Sequence, residues 1–263
     1  MGRKRLLPGV LPSHRRLDLI ARREGGAISG RSYQGIIPAL SDTIVSHVIV
    51  SGGSFKELIS TTVWATNGAV PFNASEAIGF AGGASAESIG PFTAANYYSI
   101  ASGFMAGTFD FRDNHNWIAT IIVKRATVLS SKVPWSASDG STLGPILLTA
   151  GGTQFQMDYG GGLANTGQSI LANTPAVFSV GFNTVSQQFR IRLQAGSASG
   201  SGTGFGATHA NCTPIALGRD VTVFQPWDGK IFEFCVRIPA AIASDADLDA
   251  QLLAINNAVM AAS

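Results

Sequence analysis

Short runs of β-favouring residues alternate with clusters of Gly, Ser, Asn and Pro along most of the chain. Runs of this length between turn-forming residues are typical of the strands of an all-β sandwich. The segment 116–124 is almost entirely apolar, which indicates a central strand covered on both faces. Gly151 and Gly152 separate two of the runs and indicate a hairpin. We predict strands at 44–50, 116–124, 145–150, 153–159, 176–183, 188–194 and 230–238.

Two of these segments alternate clearly between apolar and polar residues. Because successive side chains of a strand point to opposite faces, the apolar residues of the first should enter the core, and these are Phe189, Ile191 and Leu193. Arg190 and Arg192 should then face water. In the second segment the expected core face carries Phe232, Phe234, Val236 and Ile238, and the opposite face carries Glu233, Cys235 and Arg237. Residues 195–205 are so rich in Gly and Ser that we expect a loop.

The last stretch of the chain has the 3.6-residue period of a helix, over about 244–261. Ser244 is a candidate N-cap, and Asp245 and Asp247 fall in the first turn, where the helix dipole favours anions. One apolar stripe is formed by Leu248, Leu252, Ile255 and Val259. We therefore predict an all-β protein: a two-sheet antiparallel jelly-roll sandwich with an extended N-terminal arm and a C-terminal α-helix.

Composition supports this fold class. Of 263 residues, 45% are hydrophobic and only 13% are charged. The first value argues against general disorder, and the second disfavours a helical bundle, whose surface needs Glu, Lys and Arg. No apolar run is long enough for a transmembrane helix, so we expect no membrane partner. We assign residues 1–40 to a basic extended arm and loop, and residues 41–263 to the jelly-roll domain with its terminal helix.

Residues 1–31 carry eight basic and two acidic side chains, a net charge of +6, whereas the rest of the chain carries −4. Prolines interrupt the apolar stretch of this arm, so it does not read as a secretory signal; an organellar transit peptide stays open as an alternative. The arm has no aromatic residue, and its leucines are spaced for docking, so we expect it to bind a protein partner rather than nucleic acid. The docking residues would be Arg3, Lys4, Arg5, Arg15, Arg16, Arg22 and Arg23.

The order of motifs near the C-terminus carries a resemblance. Ala216-Leu217-Gly218-Arg219 precedes a turn, and Pro226-Trp227-Asp228-Gly229-Lys230-Ile231-Phe232-Glu233-Phe234 leads into a strand and then the helix. This resembles the closing segment of concanavalin A-like lectin/glucanase domains of the laminin-G-like type, over about residues 95–262. The resemblance implies a jelly roll but leaves function open, because that fold serves binding, catalysis and structure. An unrelated β-sandwich with a terminal helix is the alternative.

No catalytic constellation is evident in the sequence, and we predict that the protein is not an enzyme. Glucanases of the superfamily that the chain resembles use paired acidic residues on one strand, in a Glu-x-Asp-x-x-Glu pattern that is absent here. Glu233 stands alone on its strand, so we expect it to be structural. The four histidines lack metal-ligand spacing. The two cysteines, Cys212 and Cys235, are too few for a disulfide scaffold and are expected to be reduced.

Two loop regions are candidate binding sites. Lectins of this fold often bind calcium through Asp and Asn side chains of loops, and the local cluster of that kind is Asp110, Asp113, Asn114 and Asn116. No other cofactor is expected. Trp135 lies in a loop-like context ahead of Asp139, and an exposed indole there could stack on a sugar ring. The alternative for Trp135 is packing onto the core.

The function that these features favour is that of a non-enzymatic structural or surface protein of a bacteriophage virion. Modules that the chain resembles decorate phage heads and tail appendages. The arm would dock to other virion proteins, including copies of the chain itself, after assembly in the host cytoplasm. A carbohydrate-binding adhesin that contacts a host glycan is the alternative, and a glycoside hydrolase is a third hypothesis.

Overall fold

A computed structural model of the chain describes a sandwich of two antiparallel sheets with one helix on its outside. The described residues are 35–38, 42–58, 63–78, 85–100, 109, 111, 115–127, 129, 132–137, 145–150, 154–159, 162–201, 215–219 and 226–262. The prediction of an all-β, two-sheet antiparallel sandwich with a C-terminal helix is confirmed. The arm residues 1–34 lie outside the described residues, so the arm stays a prediction.

The first sheet contains nine strands: β1 (Thr43–Ser51), β2 (Ser54–Glu57), β4 (Phe72–Ala77), β5 (Ser85–Ile89), β7 (Trp117–Lys124), β12 (Pro175–Asn183), β13 (Gln188–Leu193), β14 (Gly196–Ser201) and β16 (Lys230–Ile238). Seven of them run in the order β14-β13-β12-β7-β16-β1-β2, and β5 joins β16 to β4. The second sheet runs in the order β11-β10-β9-β8-β15-β6-β3. Its strands are β3 (Ala65–Asn67), β6 (Tyr97–Ile100), β8 (Trp135–Ala137), β9 (Ile146–Ala150), β10 (Gln154–Tyr159), β11 (Gly162–Ser169) and β15 (Ile215–Leu217).

The long apolar runs became strands within a residue or two of their expected bounds, and β9 and β10, the strands on either side of Gly151 and Gly152, pair antiparallel as expected for a hairpin. The expected loop over 195–205 is wrong in its first half, because β14 pairs with β13 there. An edge strand needs only backbone hydrogen bonds from one neighbour, so Gly and Ser do not prevent it.

Strand β7 is buried on both faces, as its apolar run predicts. Its residues Trp117, Ala119, Ile121 and Val123 enter the main core between the sheets. Ile118 and Ile122 point the other way, into a second apolar cluster under the helix. Because the first sheet is covered on both sides at its centre, its middle strands β7, β12 and β16 are buried along almost their whole length.

Helix α1 (Asp245–Ala261) covers the outer face of the first sheet. The Ser244 hydroxyl accepts a hydrogen bond from the N–H of Asp247, which confirms the N-cap. The whole predicted stripe is buried against β7, β12 and β16, namely Leu248, Leu252, Ile255 and Val259. The expectation that Arg190 and Arg192 face water is wrong, because they form ion pairs with the helix carboxylates of Asp245 and Asp249.

A β-bulge corrects the expected faces of β16. The register with β7 shifts between Ile231 and Glu233, so Ile231 takes the place in the main core that strict alternation gave to Phe232. Phe232 packs in the outer cluster instead. One extra residue in a strand moves the residues that precede the bulge to the opposite face of the sheet. The order of apolar residues in β16 did not predict the bulge.

Residues 35–38 form a short strap across the outer face of β16. The N–H groups of Ile36 and Ile37 donate hydrogen bonds to the carboxylate of Glu233, at 2.8 and 2.9 Å. The His47 Nε2 atom lies 2.6 Å from the same carboxylate, which is completely buried. Glu233 is therefore a structural anchor, in agreement with the sequence analysis.

We expect Glu233→Ala to lower the free energy of unfolding by about 3–5 kcal/mol, because three buried polar groups lose their acceptor. Urea denaturation measures this loss. Glu87→Ala is the control, since Glu87 accepts only an exposed N–H bond from Gly52 among the hydrogen bonds assigned to it. A loss below about 1 kcal/mol for Glu233→Ala would contradict the anchor.

The Arg192–Asp249 ion pair makes the stability of the helix contact depend on pH. Burial by itself raises the pKa of Asp249, but hydrogen bonds from Arg192 and Ser197 and the charges of Arg192 and Arg190 bring the pKa below its ordinary value of 3.8. A carboxyl group with a lowered pKa stabilises the fold above its unfolded pKa, and this contribution is lost as the pH falls through the folded pKa.

Accordingly, Asp249→Asn should lower the free energy of unfolding near pH 7. The difference in this free energy between the variant and the wild type should become smaller as the pH falls below about 4. Denaturant unfolding of both proteins across this range checks the expectation. The same loss of stability near pH 7 and near pH 2 would show that the charge of Asp249 contributes nothing.

Candidate functional site

Several strands of the first sheet end or begin at the same end of the sheet. Strand β7 ends at Lys124, where its antiparallel neighbours β16 and β12 begin with Lys230 and Pro175. Strand β5 ends beside them, with Ile89 opposite Ile231. A cavity of about 230 Å³ lies among these strand ends, and we call it the strand-end cavity. Its polar and charged lining consists of Glu76, Lys124, Arg125, Asn173, Asp228 and Lys230.

Two lysines share this cavity because of the register of the central strands. Lys124 and Lys230 are direct partners in the β7–β16 ladder, so their side chains lie on the same face. The ammonium of Lys124 forms an ion pair with the carboxylate of Glu76. The ammonium of Lys230 donates to the carbonyl oxygen of Gly90 and has no carboxylate partner in the described part of the chain.

Arg125 is a buried cation that holds one wall of the cavity together. Its guanidinium donates to three carbonyl oxygens, at 2.7, 3.2 and 3.4 Å, which belong to Thr127, Leu129 and Ile170. It also lies over the ring of Phe155. Burial lowers the pKa of Arg125, and the negative charge of Asp228 acts in the opposite direction. The group stays protonated and fixes the loops that follow β7 and precede β12.

The remaining lining residues give the cavity both hydrogen-bond donors and hydrogen-bond acceptors. One carboxylate oxygen of Asp228 accepts a hydrogen bond from the Thr127 hydroxyl. Asn173 has a φ of 58°, in the left-handed region that Asn tolerates, and its exposed side-chain amide makes no hydrogen bond to the described residues. A Cβ atom on Gly229 would lie 2.1 Å from the carbonyl oxygen of Lys124, so only glycine allows the main chain at position 229 to approach strand β7 this closely.

The structure does not place Trp135 where a sugar could reach it. The residue lies in strand β8, and it is only 1% exposed. Its indole packs against Phe111 and Phe234, which is the core-packing alternative. The prediction of an exposed indole at Trp135 that stacks on a sugar ring is therefore wrong. Asp139, its expected companion, lies outside the described residues.

The other expected site residues cannot be placed either. The candidate calcium ligands Asp110, Asp113 and Asn114 lie outside the described residues, as do all seven basic residues assigned to docking by the arm. Within the described ranges, no three His, Cys, Asp or Glu side chains are grouped as a metal site. No helix among the residues described is long and apolar enough to cross a membrane.

Strand pairing also brings together Cys235, His47 and Glu233, a set of residue types that serves nucleophilic catalysis elsewhere. Cys235 and His47 are direct partners in the β1–β16 ladder. The thiol is fully buried, and burial raises its pKa to about 11, with a smaller opposing effect of Arg237. A thiol in this state is not a nucleophile. The group is part of the core, and Cys235 is a free thiol, as the sequence analysis expected.

The sequence analysis missed the strand-end cavity, although it singled out the segment that contains Asp228, Gly229 and Lys230 for its fold pattern. The available signal was a group of charged residues at the ends of otherwise apolar strands, such as Lys124 and Arg125 after 116–123. That signal becomes informative only when the strand order is known, because the cavity combines residues of three strands with residues of four segments between strands.

Comparisons with known proteins identify the fold. No protein-family model and no curated protein matches the chain. Domain 4 of AbnA, a GH43 extracellular arabinanase from Geobacillus stearothermophilus solved with arabinotriose, matches with a TM-score of 0.57 and 11% identity, over 82% of this chain and 98% of that one. The binding domain of Paraclostridial Mosquitocidal Protein 1 matches with a TM-score of 0.56 and 10% identity, over 82% and 52%.

The ligand binding domain of botulinum neurotoxin serotype D, solved with N-acetylneuraminic acid, matches with a TM-score of 0.53 and 8% identity, over 80% of this chain and 50% of that one. The chain thus spans about half the length of the two toxin structures. These likenesses agree with the lectin-like sandwich that the resemblance implies, and at such low identity they establish the fold alone. The chain has the β-sandwich fold of these carbohydrate-binding and receptor-binding domains.

Proposed function

We propose that the protein is a carbohydrate-binding domain and that the strand-end cavity is its binding site. The observation that carries this proposal is a cavity lined by six polar or charged side chains at one edge of a sandwich whose fold is shared with binding domains. Ligand pockets are usually about 300–1,000 Å³, so a cavity of about 230 Å³ suits one sugar ring rather than an extended chain.

The surroundings of the cavity supply both kinds of contact that a sugar needs. Its amide, ammonium and carboxylate groups can exchange hydrogen bonds with hydroxyl groups. Pro91 and Ala126 add apolar surface to the lining, and they can contact the C–H faces of a sugar. A lining that combines polar groups with apolar surface is common in ligand sites.

Binding without hydrolysis is the form of this proposal that the site favours. Glu76 and Asp228 are two carboxylates at one cavity, as a glycoside hydrolase requires, but both are already engaged. Glu76 forms an ion pair with Lys124, and Asp228 accepts a hydrogen bond from the Thr127 hydroxyl. Glu233 is sealed under the strap and cannot reach a substrate.

Ala126 offers a direct test, because it lines the cavity and its side chain is exposed. We expect Ala126→Trp to fill the cavity and weaken glycan binding more than tenfold, which is about 1.4 kcal/mol. Binding of the purified protein to a glycan array, followed by titration of the best ligand, measures this. Ala250→Trp, on the exposed side of helix α1, is the matched control. Unchanged binding by Ala126→Trp would locate the site elsewhere.

A second candidate role is that of a structural or surface component of a bacteriophage virion, with carbohydrate binding as its surface activity. Its support is the sequence: a strongly basic arm ahead of a body of opposite charge, together with a low content of charged residues. Such a body can lie against other copies or other particle proteins, and the arm can bind their acidic grooves.

Removal of residues 1–31 tests this role. We expect the truncated protein to keep its thermal unfolding transition and its glycan binding, because the strap and the sandwich are retained. It should no longer co-assemble with its partners, as followed by sedimentation of particles or cross-linking. Normal incorporation of the truncated protein would refute the arm as an assembly element.

A further inference from the structure

We infer that the strand-end cavity selects a sugar that carries a carboxylate, an inference that rests on the proposed carbohydrate-binding function. The argument starts from the charges that line the cavity. Three are cations and two are carboxylates, so one positive charge is left without a counter-ion among the described residues. The chemistry of that one group determines which ligand is favoured.

Two of the three cations are already engaged. Lys124 is paired with Glu76, and the guanidinium of Arg125 donates to three backbone carbonyl oxygens, with the negative charge of Asp228 nearby. An anionic ligand would have to compete with these partners. A guanidinium used to hold loops together is also poorly placed to move toward a ligand, since its hydrogen bonds fix its orientation.

Lys230 is the unmatched cation. Its ammonium donates one hydrogen bond to the carbonyl oxygen of Gly90, and an ammonium has three protons to donate. Its direct ladder partner is Lys124, so an anion between their side chains would also relieve repulsion between two like charges. The main chain of Lys230 is also held in place, since the Trp227 indole donates a hydrogen bond to the Lys230 carbonyl oxygen at 3.2 Å.

A carboxylated sugar fits this arrangement better than a bare anion does. Its carboxylate would bind Lys230, and its hydroxyl groups would bind the free amide of Asn173, which can both donate and accept. A neutral sugar would use the hydroxyl contacts only. Charge-assisted hydrogen bonds are about twice as strong as neutral ones, so the acidic sugar should bind more tightly.

The test compares sugars of one shape and different charge. Glucose, galactose and mannose are titrated by calorimetry beside their uronic acids, and N-acetylneuraminic acid is added as a larger carboxylated sugar. We expect at least one acidic sugar to bind about tenfold more tightly than any neutral one, with a preference that weakens as salt is added. Inorganic phosphate and sulfate are titrated as sources of the same negative charge without a sugar.

Variants of Lys230 assign the effect to its charge. Lys230→Met should remove the preference for the acid, so that acidic and neutral sugars bind this variant with similar affinity, whereas Lys230→Arg should retain the preference. Lys56→Met, a change of the same kind in strand β2 outside the cavity, should leave the preference intact. Circular dichroism confirms that each variant is folded.

The contrary outcomes are distinct from one another. If neutral sugars bind as tightly as acidic ones, or if Lys230→Met keeps the preference, the inference is wrong and the proposed function stands. If phosphate or sulfate binds as tightly as the acidic sugars, the site recognises small anions and the inference is again wrong. If no sugar of either charge binds to the wild-type protein, the proposed function fails together with the inference.

Discussion

The pairing of β7 with β16 is the interaction on which the rest of this structure depends. Both strands are buried on two faces at their centre, so their apolar residues are divided between the two apolar clusters. A shift of their register by one residue would exchange those assignments throughout the middle of the sheet. The same register places Lys124 beside Lys230 and thereby creates the strand-end cavity. The fold and the candidate site thus share one cause.

The buried charged groups of Glu233 and Arg237 in β16 are tolerated because the fold brings partners to them. Glu233 accepts hydrogen bonds from a strap that lies almost two hundred residues away in the chain, and Arg237 donates to the carbonyl oxygen of Pro38 in the same strap at 2.7 Å. Buried charges without such partners would cost several kcal/mol. The strap therefore belongs to the domain, although the sequence analysis grouped residues 35–38 with the arm.

Function rests on the site rather than on the fold. A sandwich of this type is shared by domains that bind sugars and by domains that bind receptors, so the fold alone supports no choice between a surface adhesin and a part of a particle. The strand-end cavity favours the adhesin, because its lining has the polar groups that sugars require. The basic arm is compatible with both roles, since a binding domain can also be the outer part of a larger assembly.

The sequence by itself determined the elements that depend on local pattern. Period-2 alternation gave the faces of β13, the apolar run gave β7 its central position, and the spacing of Leu248, Leu252, Ile255 and Val259 gave the helix and the side that it buries. The lack of a second acidic residue near Glu233 also pointed correctly to a structural role for it. These features can be predicted without knowledge of the fold, because each depends only on residues that are close to one another in the sequence.

Only the tertiary structure decided which distant residues meet. The bulge at Ile231 and Glu233, the burial of Trp135, and the ion pairs of Arg190 and Arg192 with the helix each depend on a partner strand or helix that no local pattern identifies. The cavity is the clearest case, because Glu76, Lys124, Asn173 and Asp228 lie on four separate segments. These polar and charged residues were visible in the sequence, but they form a site only where the chain brings them within a few ångströms of one another. Long-range strand pairing sets that distance.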